Sequence, residues 1–210
     1  MNIKTNEEIE KLIASSKLAD DCYDYICGEI KVGMTEIEIA NKMKEYFLSH
    51  GASGLSFDTI VGSGVNSSQI HSTPTDRKVE YGDLVQLDFG CILDDYCSDC
   101  SRVLFIGEVK PQFKYIYDIV YEAQLAGINN FKVGMKSSEV DGLSRDIILA
   151  KGFEFKHAVR SWCWKRSSRR SCSFAKEWRR HNWRKYVYNN RARNLYKRWI
   201  WNQNRRYMHS

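Results

Sequence analysis

The last part of this 210-residue sequence lacks glycine, proline and aspartate, three of the residues with which folded domains make turns. The last glycine is Gly152, the last proline is Pro111 and the last aspartate is Asp146. Glycine, proline and aspartate supply the backbone conformations and side-chain hydrogen bonds of most tight turns. Residues 158–210 therefore lack the usual turn signals, and a chain of this length is expected to form one domain, or one and a fragment.

The sequence also lacks an apolar run long enough to cross a bilayer, and its N-terminus lacks the features of a secretory signal. It has seven cysteines, an odd number, which without a secretory signal favours reduced thiols. The segment Cys97–Cys100 is a CxxC, but no second pair or histidine accompanies it. A structural zinc site is therefore disfavoured, redox use is a weak alternative, and a cytoplasmic location is expected.

Charge is divided unevenly along the chain. Residues 157–210 contain 16 Lys and Arg, a single acid, Glu177, and all six tryptophans. Residues 1–156 contain 16 Lys and Arg and 25 acids. The two parts carry net charges of +15 and −9, and a change of this size marks a boundary near residue 157.

The first 156 residues have the mixed patterns of an α/β protein. Apolar spacing and capping signals predict four helices, over Asn6–Glu29, from Thr35 through Phe47, over about 112–130, and from Ser137 or Ser138 to before Gly152. Alternating residues predict strands within 56–64 and 83–93, and residues 96–106 are expected to form the hairpin partner of the second strand.

Two aspartates on the predicted hairpin are candidates for chemistry. Asp88 and Asp99 are eleven residues apart, and in a hairpin both carboxylates can point into one cleft. Mn²⁺, Co²⁺ and Zn²⁺ accept such oxygen ligands. The alternative is a pair of solvated strand aspartates, which the spacing alone favours. Asp83, Asp94 and Asp95 are interpreted as turn residues.

One histidine lies just upstream of the hairpin. His71 begins the stretch "HSTPTDRKV", immediately before a turn that contains proline. A histidine in this position can donate a proton or hold a substrate, or it can be a half-buried structural residue.

The stretch "NSSQIHSTPTDRKVEYGDLVQLDFGCILDDYCSDCSRV" resembles the catalytic domain of the M24 metallopeptidases, which include methionine aminopeptidase, Xaa-Pro aminopeptidase and Xaa-Pro dipeptidase. The motifs "PTDRK" and "DFG" resemble the proline-specific branch more closely than methionine aminopeptidase. The likeness covers Asn6 to His157. It implies an α/β (α+β) pita-bread fold, two divalent metal ions (Mn²⁺, or Co²⁺ or Zn²⁺), short peptides with proline at the second position as substrates, and a possible homodimer.

The resemblance also assigns roles to residues. Asp88 matches the first metal-ligating aspartate, and Asp99 matches the second, which bridges the two metals. His71 matches a substrate-side histidine, and His157, in "FKHAVR", matches the first histidine of "HGLGHGVG". The family's three further ligands lie in "HGVG", "IEPG" and "RIED", and none of these motifs is present. The chain as written is therefore expected to be an inactive exopeptidase.

We interpret the tail, residues 158–210, as the family's second half translated in a shifted reading frame. The single tryptophan codon becomes a glycine codon when it is read one base later, so the codons of the six tryptophans would encode six glycines in the shifted frame. In that frame the codons of 160–165 permit "GHGVG", those of 189–197 permit "TIEPG", and those of 200–210 permit "RIED". One extra base near the Ala158 codon would suffice. The expected organisation is thus part of a catalytic domain over 1–157 and an out-of-frame tail over 158–210.

Two other functions are compatible with the sequence. The tail's interleaved arginines and tryptophans could bind nucleic acid or an anionic membrane surface, although otherwise neither partner is expected. The protein could also be a catalytically dead relative that serves as a binding scaffold. Proline-specific members usually carry an N-terminal domain, which is expected to be absent or cut off here. The choice between dipeptidase and aminopeptidase therefore stays open.

Overall fold

The structure is a computed structural model that describes residues 4–69, 72–132 and 134–154. The helices of this part are α1 (Asn6–Glu29), α2 (Glu36–Ser49), α3 (Pro111–Asn130) and α4 (Ser137–Ala150), and a 3-10 helix covers Gly64–Ser68. The strands are β1 (Gly54–Leu55), β2 (Ile60–Ser63), β3 (Leu84–Phe89), β4 (Cys91–Leu93), β5 (Tyr96–Cys97) and β6 (Cys100–Phe105). The predicted helices are confirmed. Capping boxes at Thr5 and Thr35 define the starts of α1 and α2.

The strands form two small antiparallel sheets. One has the order β1-β4-β5 and the other has the order β2-β3-β6. β3 pairs with β6, and β4 pairs with β5, so the same two chain segments run through both sheets. Residues 83–106 therefore form one long hairpin that joins the sheets.

The register of this hairpin does not change along its length. Leu84 pairs with Phe105, Phe89 pairs with Cys100, and Ile92 pairs with Cys97, so the two arms advance one residue for one residue. The turn consists of Asp94 and Asp95, both with positive φ (50° and 69°), as a two-residue type I′ turn requires. The predicted hairpin and its turn are confirmed.

The main core lies between the hairpin and the first two helices. Val85, Leu87 and Phe89 alternate along β3 and are fully buried, as their period-2 spacing predicts. They pack in one apolar cluster with residues of α1 and α2, including Ile26 and Phe47. The opposite face of β3, which carries Asp88, is left outside this core.

α3 and α4 pack on each other around a smaller cluster. Ile119, Ala123 and Ile148 form its buried centre. Phe105 of β6 makes an edge contact with Tyr117 at a ring separation of 5.7 Å, which joins the helix pair to the hairpin. The outer side of α3 keeps several large apolar side chains in solvent, namely Tyr115, Ile116 and Val120. Within the described residues, no helix has both the length and the apolar character to cross a membrane.

A buried carboxylate ties the start of α2 to the segment that leads into the hairpin. Glu36 is fully buried. It accepts hydrogen bonds from the backbone and hydroxyl of Ser63 (both 2.7 Å), from Asn66 Nδ2 (3.1 Å), and from the backbone (3.0 Å) and hydroxyl (2.6 Å) of Thr75. Ser63 also accepts from Arg77, which pairs with Asp83 at 2.6 Å. Burial raises the pKa of Glu36, but the hydrogen bonds from Thr75 and Ser63 together lower it by more, so the net pKa is below its usual value.

We expect Glu36→Gln to destabilise the fold by about 2 kcal/mol, because an amide would turn buried N–H groups toward buried donors. A carboxylate with a lowered folded pKa stabilises the protein at pH values above its unfolded pKa of about 4.3. The stability difference between wild type and variant should therefore be constant above about pH 5. It should shrink as the pH falls through the folded pKa. Urea unfolding at several pH values measures both effects.

Glu38→Gln is the matched control, because Glu38 lies on the same helix, is exposed, and caps it through the Thr35 backbone N–H. Glutamine also serves in a capping box, so this variant should stay close to wild type in stability. Equal losses in the free energy of unfolding for both variants would contradict a stabilising role of the buried Glu36 carboxylate.

Candidate metal centre

The first candidate ligand, Asp88, lies near the end of β3 on the face away from the core. It pairs across the ladder with Ser101 of β6, and the Ser101 hydroxyl donates to Asp88 Oδ1 at 2.8 Å. The half-buried Asp88 thus has a carboxylate that is partly held in place and partly accessible. The same register places Ile60 of β2 on its other side.

The second candidate ligand, Asp99, directly precedes β6 and is exposed. Pairing continues past the strand end, since Ser98 N–H donates to the Cys91 carbonyl at 2.9 Å. The unchanged register puts Asp99 opposite Gly90. Because side chains alternate along a strand, Asp99 shares a face with Ser101, and therefore with Asp88.

The two carboxylates influence each other electrostatically. Desolvation by surrounding protein atoms, and to a smaller extent the negative charge of Asp88, together raise the pKa of Asp99 to about 6. Two like charges held close together favour a cation between them. The structure thus brings together the two aspartates that the sequence pattern identified.

Gly90 permits a close approach of the chain beside Asp99. A Cβ atom at this position would lie 2.0 Å from the Ser98 carbonyl oxygen and 2.4 Å from Ser56 Oγ. The Ser56 hydroxyl donates to that same carbonyl at 2.6 Å. Only glycine fits here without displacing the backbone next to Asp99.

The donor set fits part of a metal centre. Paired carboxylate oxygens suit Mn²⁺, Co²⁺ or Zn²⁺. Among residues 4–69, 72–132 and 134–154, no group of three or more His, Cys, Asp or Glu side chains could hold a metal ion. Asp88 and Asp99 could therefore supply one side of such a centre, and tight binding would require further ligands.

The CxxC flanking Asp99 has the wrong geometry for a disulfide. Cys97 and Cys100 are both buried and lie on an extended segment, where residues three apart are separated by about 10 Å. A disulfide requires Cα atoms within about 7 Å. None of the five described cysteines forms a disulfide, and the geometry gives no support to the redox alternative.

The remaining candidates have different outcomes. His71 and His157 lie outside the described residues, so their substrate-side roles stay predictions. Asp83 forms an ion pair with Arg77 and accepts from the backbone N–H of Glu80 at 2.9 Å, a structural role at the turn before β3. This agrees with its interpretation as a turn residue.

The comparison with known proteins decides the family. The sequence profile of metallopeptidase family M24 matches residues 10–164. The chain belongs to metallopeptidase family M24. A Bacillus subtilis M24 relative, described as an uncharacterized peptidase, is 44% identical over 151 residues, which are 72% of this chain and 43% of the relative.

Solved M24 structures give the same result for the fold. An Xaa-Pro dipeptidase from Bacillus anthracis is 40% identical with a TM-score of 0.73, over 74% of this chain and 44% of that one. An X-Pro aminopeptidase from Thermotoga maritima is 36% identical with a TM-score of 0.69, over 71% and 43%. The expected fold, an incomplete pita-bread α/β fold of the proline-specific type, is confirmed. The chain spans less than half the length of these M24 proteins.

Several residues around the carboxylates were not identified from the sequence. Ser101 holds Asp88, Ser56 and Ser98 surround the peptide that carries Asp99, and Gly90 makes room for them. Serine is common in loops and strands of every kind, so its presence gave no signal. Gly90 did give a signal in the sequence, because an isolated glycine within a strand pattern indicates a close approach of the backbone.

We expect Gly90→Ala to destabilise the protein by about 3 kcal/mol, because the new methyl group would overlap a backbone oxygen that cannot rotate away. The thermal midpoint should fall by roughly 10 °C. Gly54→Ala is the control, because nothing lies within 4 Å of a Cβ at that β1 position. A Gly90→Ala protein that melts like the control would show that the close approach is relaxed in solution.

Proposed function

We propose that this chain is the first part of a dimetal exopeptidase that cleaves peptide bonds next to proline. The observation that carries the proposal is the Asp88–Asp99 pair on one face of an M24 hairpin. The 40% identity to an Xaa-Pro dipeptidase supports the proline-specific assignment. The similarity to an X-Pro aminopeptidase leaves both kinds of exopeptidase as candidates.

In this proposal Asp88 and Asp99 would hold two divalent ions, with Mn²⁺ as the preferred metal. When bound, the ions polarise the scissile carbonyl and activate water. Ser101 orients the Asp88 carboxylate through its hydroxyl. His71 and His157 would hold a short peptide with proline at its second position and stabilise the tetrahedral intermediate. Cytoplasmic location and a homodimer belong to the same proposal.

We further propose that residues 158–210 are the family's second half read out of frame. Similarity to the curated relatives covers 72% of the chain, and the family match ends at residue 164, close to where the tryptophan-rich composition begins. A shifted frame accounts for the tryptophans and for the absence of the other ligand motifs. An alternative is that the tail, with 16 Lys and Arg and one acid, is a basic arm for nucleic acid or membranes on an inactive scaffold.

The chain as written should bind Mn²⁺ or Co²⁺ weakly and should not hydrolyse a dipeptide such as Ala-Pro. Two carboxylates are too few ligands to hold a dimetal centre tightly. Steady-state hydrolysis assays with added metal measure this. Activity that Asp99→Ala abolishes would show that the sequence as written contains a complete site.

Removing one base near the Ala158 codon should restore an open frame through "GHGVG", "TIEPG" and "RIED". Sequencing the DNA across codons 155–162 and translating the shifted frame tests this directly. The repaired product should bind two metal ions per chain and cleave Xaa-Pro bonds.

Asp88→Asn in that repaired product should lose metal, because an amide oxygen is a far poorer ligand than a carboxylate. Stop codons in the shifted frame, or codons at 191–193 that cannot encode "EPG", would rule out the frame hypothesis. The tail would then have to be a genuine basic arm, which nucleic-acid and vesicle binding assays would detect.

A further inference from the structure

We propose that Ser56 is a positioning residue for Asp99: its hydroxyl fixes the Ser98–Asp99 peptide and thereby orients the Asp99 carboxylate toward the metals. The inference rests on the proposed function, in which Asp99 is a metal ligand. It assigns a role in the site to a residue outside the ligand motif.

The first step is that Ser98 is held on both its backbone N–H and its side chain. Its N–H donates to the Cys91 carbonyl at 2.9 Å. Its hydroxyl accepts from Cys91 N–H at 3.0 Å and donates to the Cys91 carbonyl at 3.3 Å. Ser98 is 1% exposed, so no water competes for these bonds. The residue before Asp99 is therefore locked to the opposite arm of the hairpin.

The second step concerns the next peptide bond. The Ser98 carbonyl oxygen belongs to the planar unit that contains the Asp99 nitrogen, so fixing one end of this unit fixes the other. The Ser56 hydroxyl donates to that oxygen at 2.6 Å. Ser56 is itself anchored, because its N–H donates to the Gly90 carbonyl at 3.2 Å. Ser56 thus bridges the two hairpin arms at the position of Asp99.

The third step is that the carboxylate depends on this backbone for its direction. Asp99 is exposed, so side-chain packing contributes little to holding it. The rotation of its peptide plane determines where its Cβ points and whether its oxygens meet those of Asp88. The close fit at Gly90 shows that the hairpin is built around this contact, since any larger residue would push Ser56 and Ser98 apart.

The matched pair for the test is Ser56→Ala and Ser53→Ala. Both serines flank β1, and the N–H of each donates to a carbonyl of the hairpin arm that contains β4, Ser53 to Ile92 and Ser56 to Gly90. The Ser53 hydroxyl donates to that same Ile92 carbonyl, whereas the Ser56 hydroxyl donates to the Ser98 carbonyl on the other arm. Ser53 bonds Ile92 at 3.2 Å, away from Asp99, whereas Ser56 bonds the peptide of Asp99 itself. Each variant loses one hydroxyl bond to a hairpin carbonyl, from the exposed Ser53 or from the half-buried Ser56. The comparison therefore separates the loss of a hydroxyl beside β1 from the loss of the bond to the Asp99 peptide.

Two measurements on the full 210-residue chain are needed. Hydrogen exchange followed by mass spectrometry reports the order of residues 98–102 without metal. In the presence of dioxygen, bound Fe²⁺ generates oxidising species that cleave the nearby backbone, and ascorbate returns the iron to Fe²⁺. The Fe²⁺ concentration for half-maximal cleavage near Asp88 and Asp99 therefore reports occupancy of even a weak site. Asp99→Asn should abolish this cleavage.

In Ser56→Ala, the backbone amides of residues 98–102 should exchange about fivefold faster than in wild type. Half-maximal cleavage should require about tenfold more Fe²⁺. Ser53→Ala should match wild type in both. An unchanged Fe²⁺ requirement in Ser56→Ala would overturn the positioning role. Absence of cleavage near the aspartates in wild type would instead contradict the metal site, and the exchange comparison would still decide whether Ser56 orders the Asp99 peptide.

Discussion

The unbroken register of the hairpin over residues 83–106 is the constraint on which the rest of the structure depends. One-for-one pairing from Leu84 to Leu93 keeps the apolar side chains of β3 on the face covered by α1 and α2. It also places Asp88 and Asp99 together on the other face. A shift of one residue would turn Asp88 toward the core and Leu87 toward solvent, so core and candidate site are specified by the same pairing.

The sequence predicted the fold well because its strongest signals are local. Capping boxes define where α1 and α2 begin, and alternation along β3 predicts which side chains are buried. The placement of Asp88 and Asp99 on one face of the hairpin followed from the same alternation plus a two-residue turn. What could not be predicted depends on contacts between distant segments. Glu36 was not identified from the sequence as a structural residue, yet it is buried among partners 27 to 39 residues away.

The carboxylate pair is organised by neutral serines. Ser101 acts on the side chain of Asp88, whereas Ser56 and Ser98 act on the backbone of Asp99. Hydroxyl groups add no charge, so they orient two anions without neutralising the attraction that a cation would feel. The Arg77–Asp83 ion pair is joined to the Glu36 network, a separate set of contacts from the one that holds Asp99.

The short span of the hairpin also bears on when the site forms during synthesis. Asp88 and Asp99 are eleven residues apart and are joined through a two-residue turn, so closing the loop between them costs little entropy. Their strands can pair as soon as residues up to Phe105 have left the ribosome, with α1 and α2 already made and available to cover the core. The proposed change of reading frame after residue 157 would leave the codons of this hairpin unchanged.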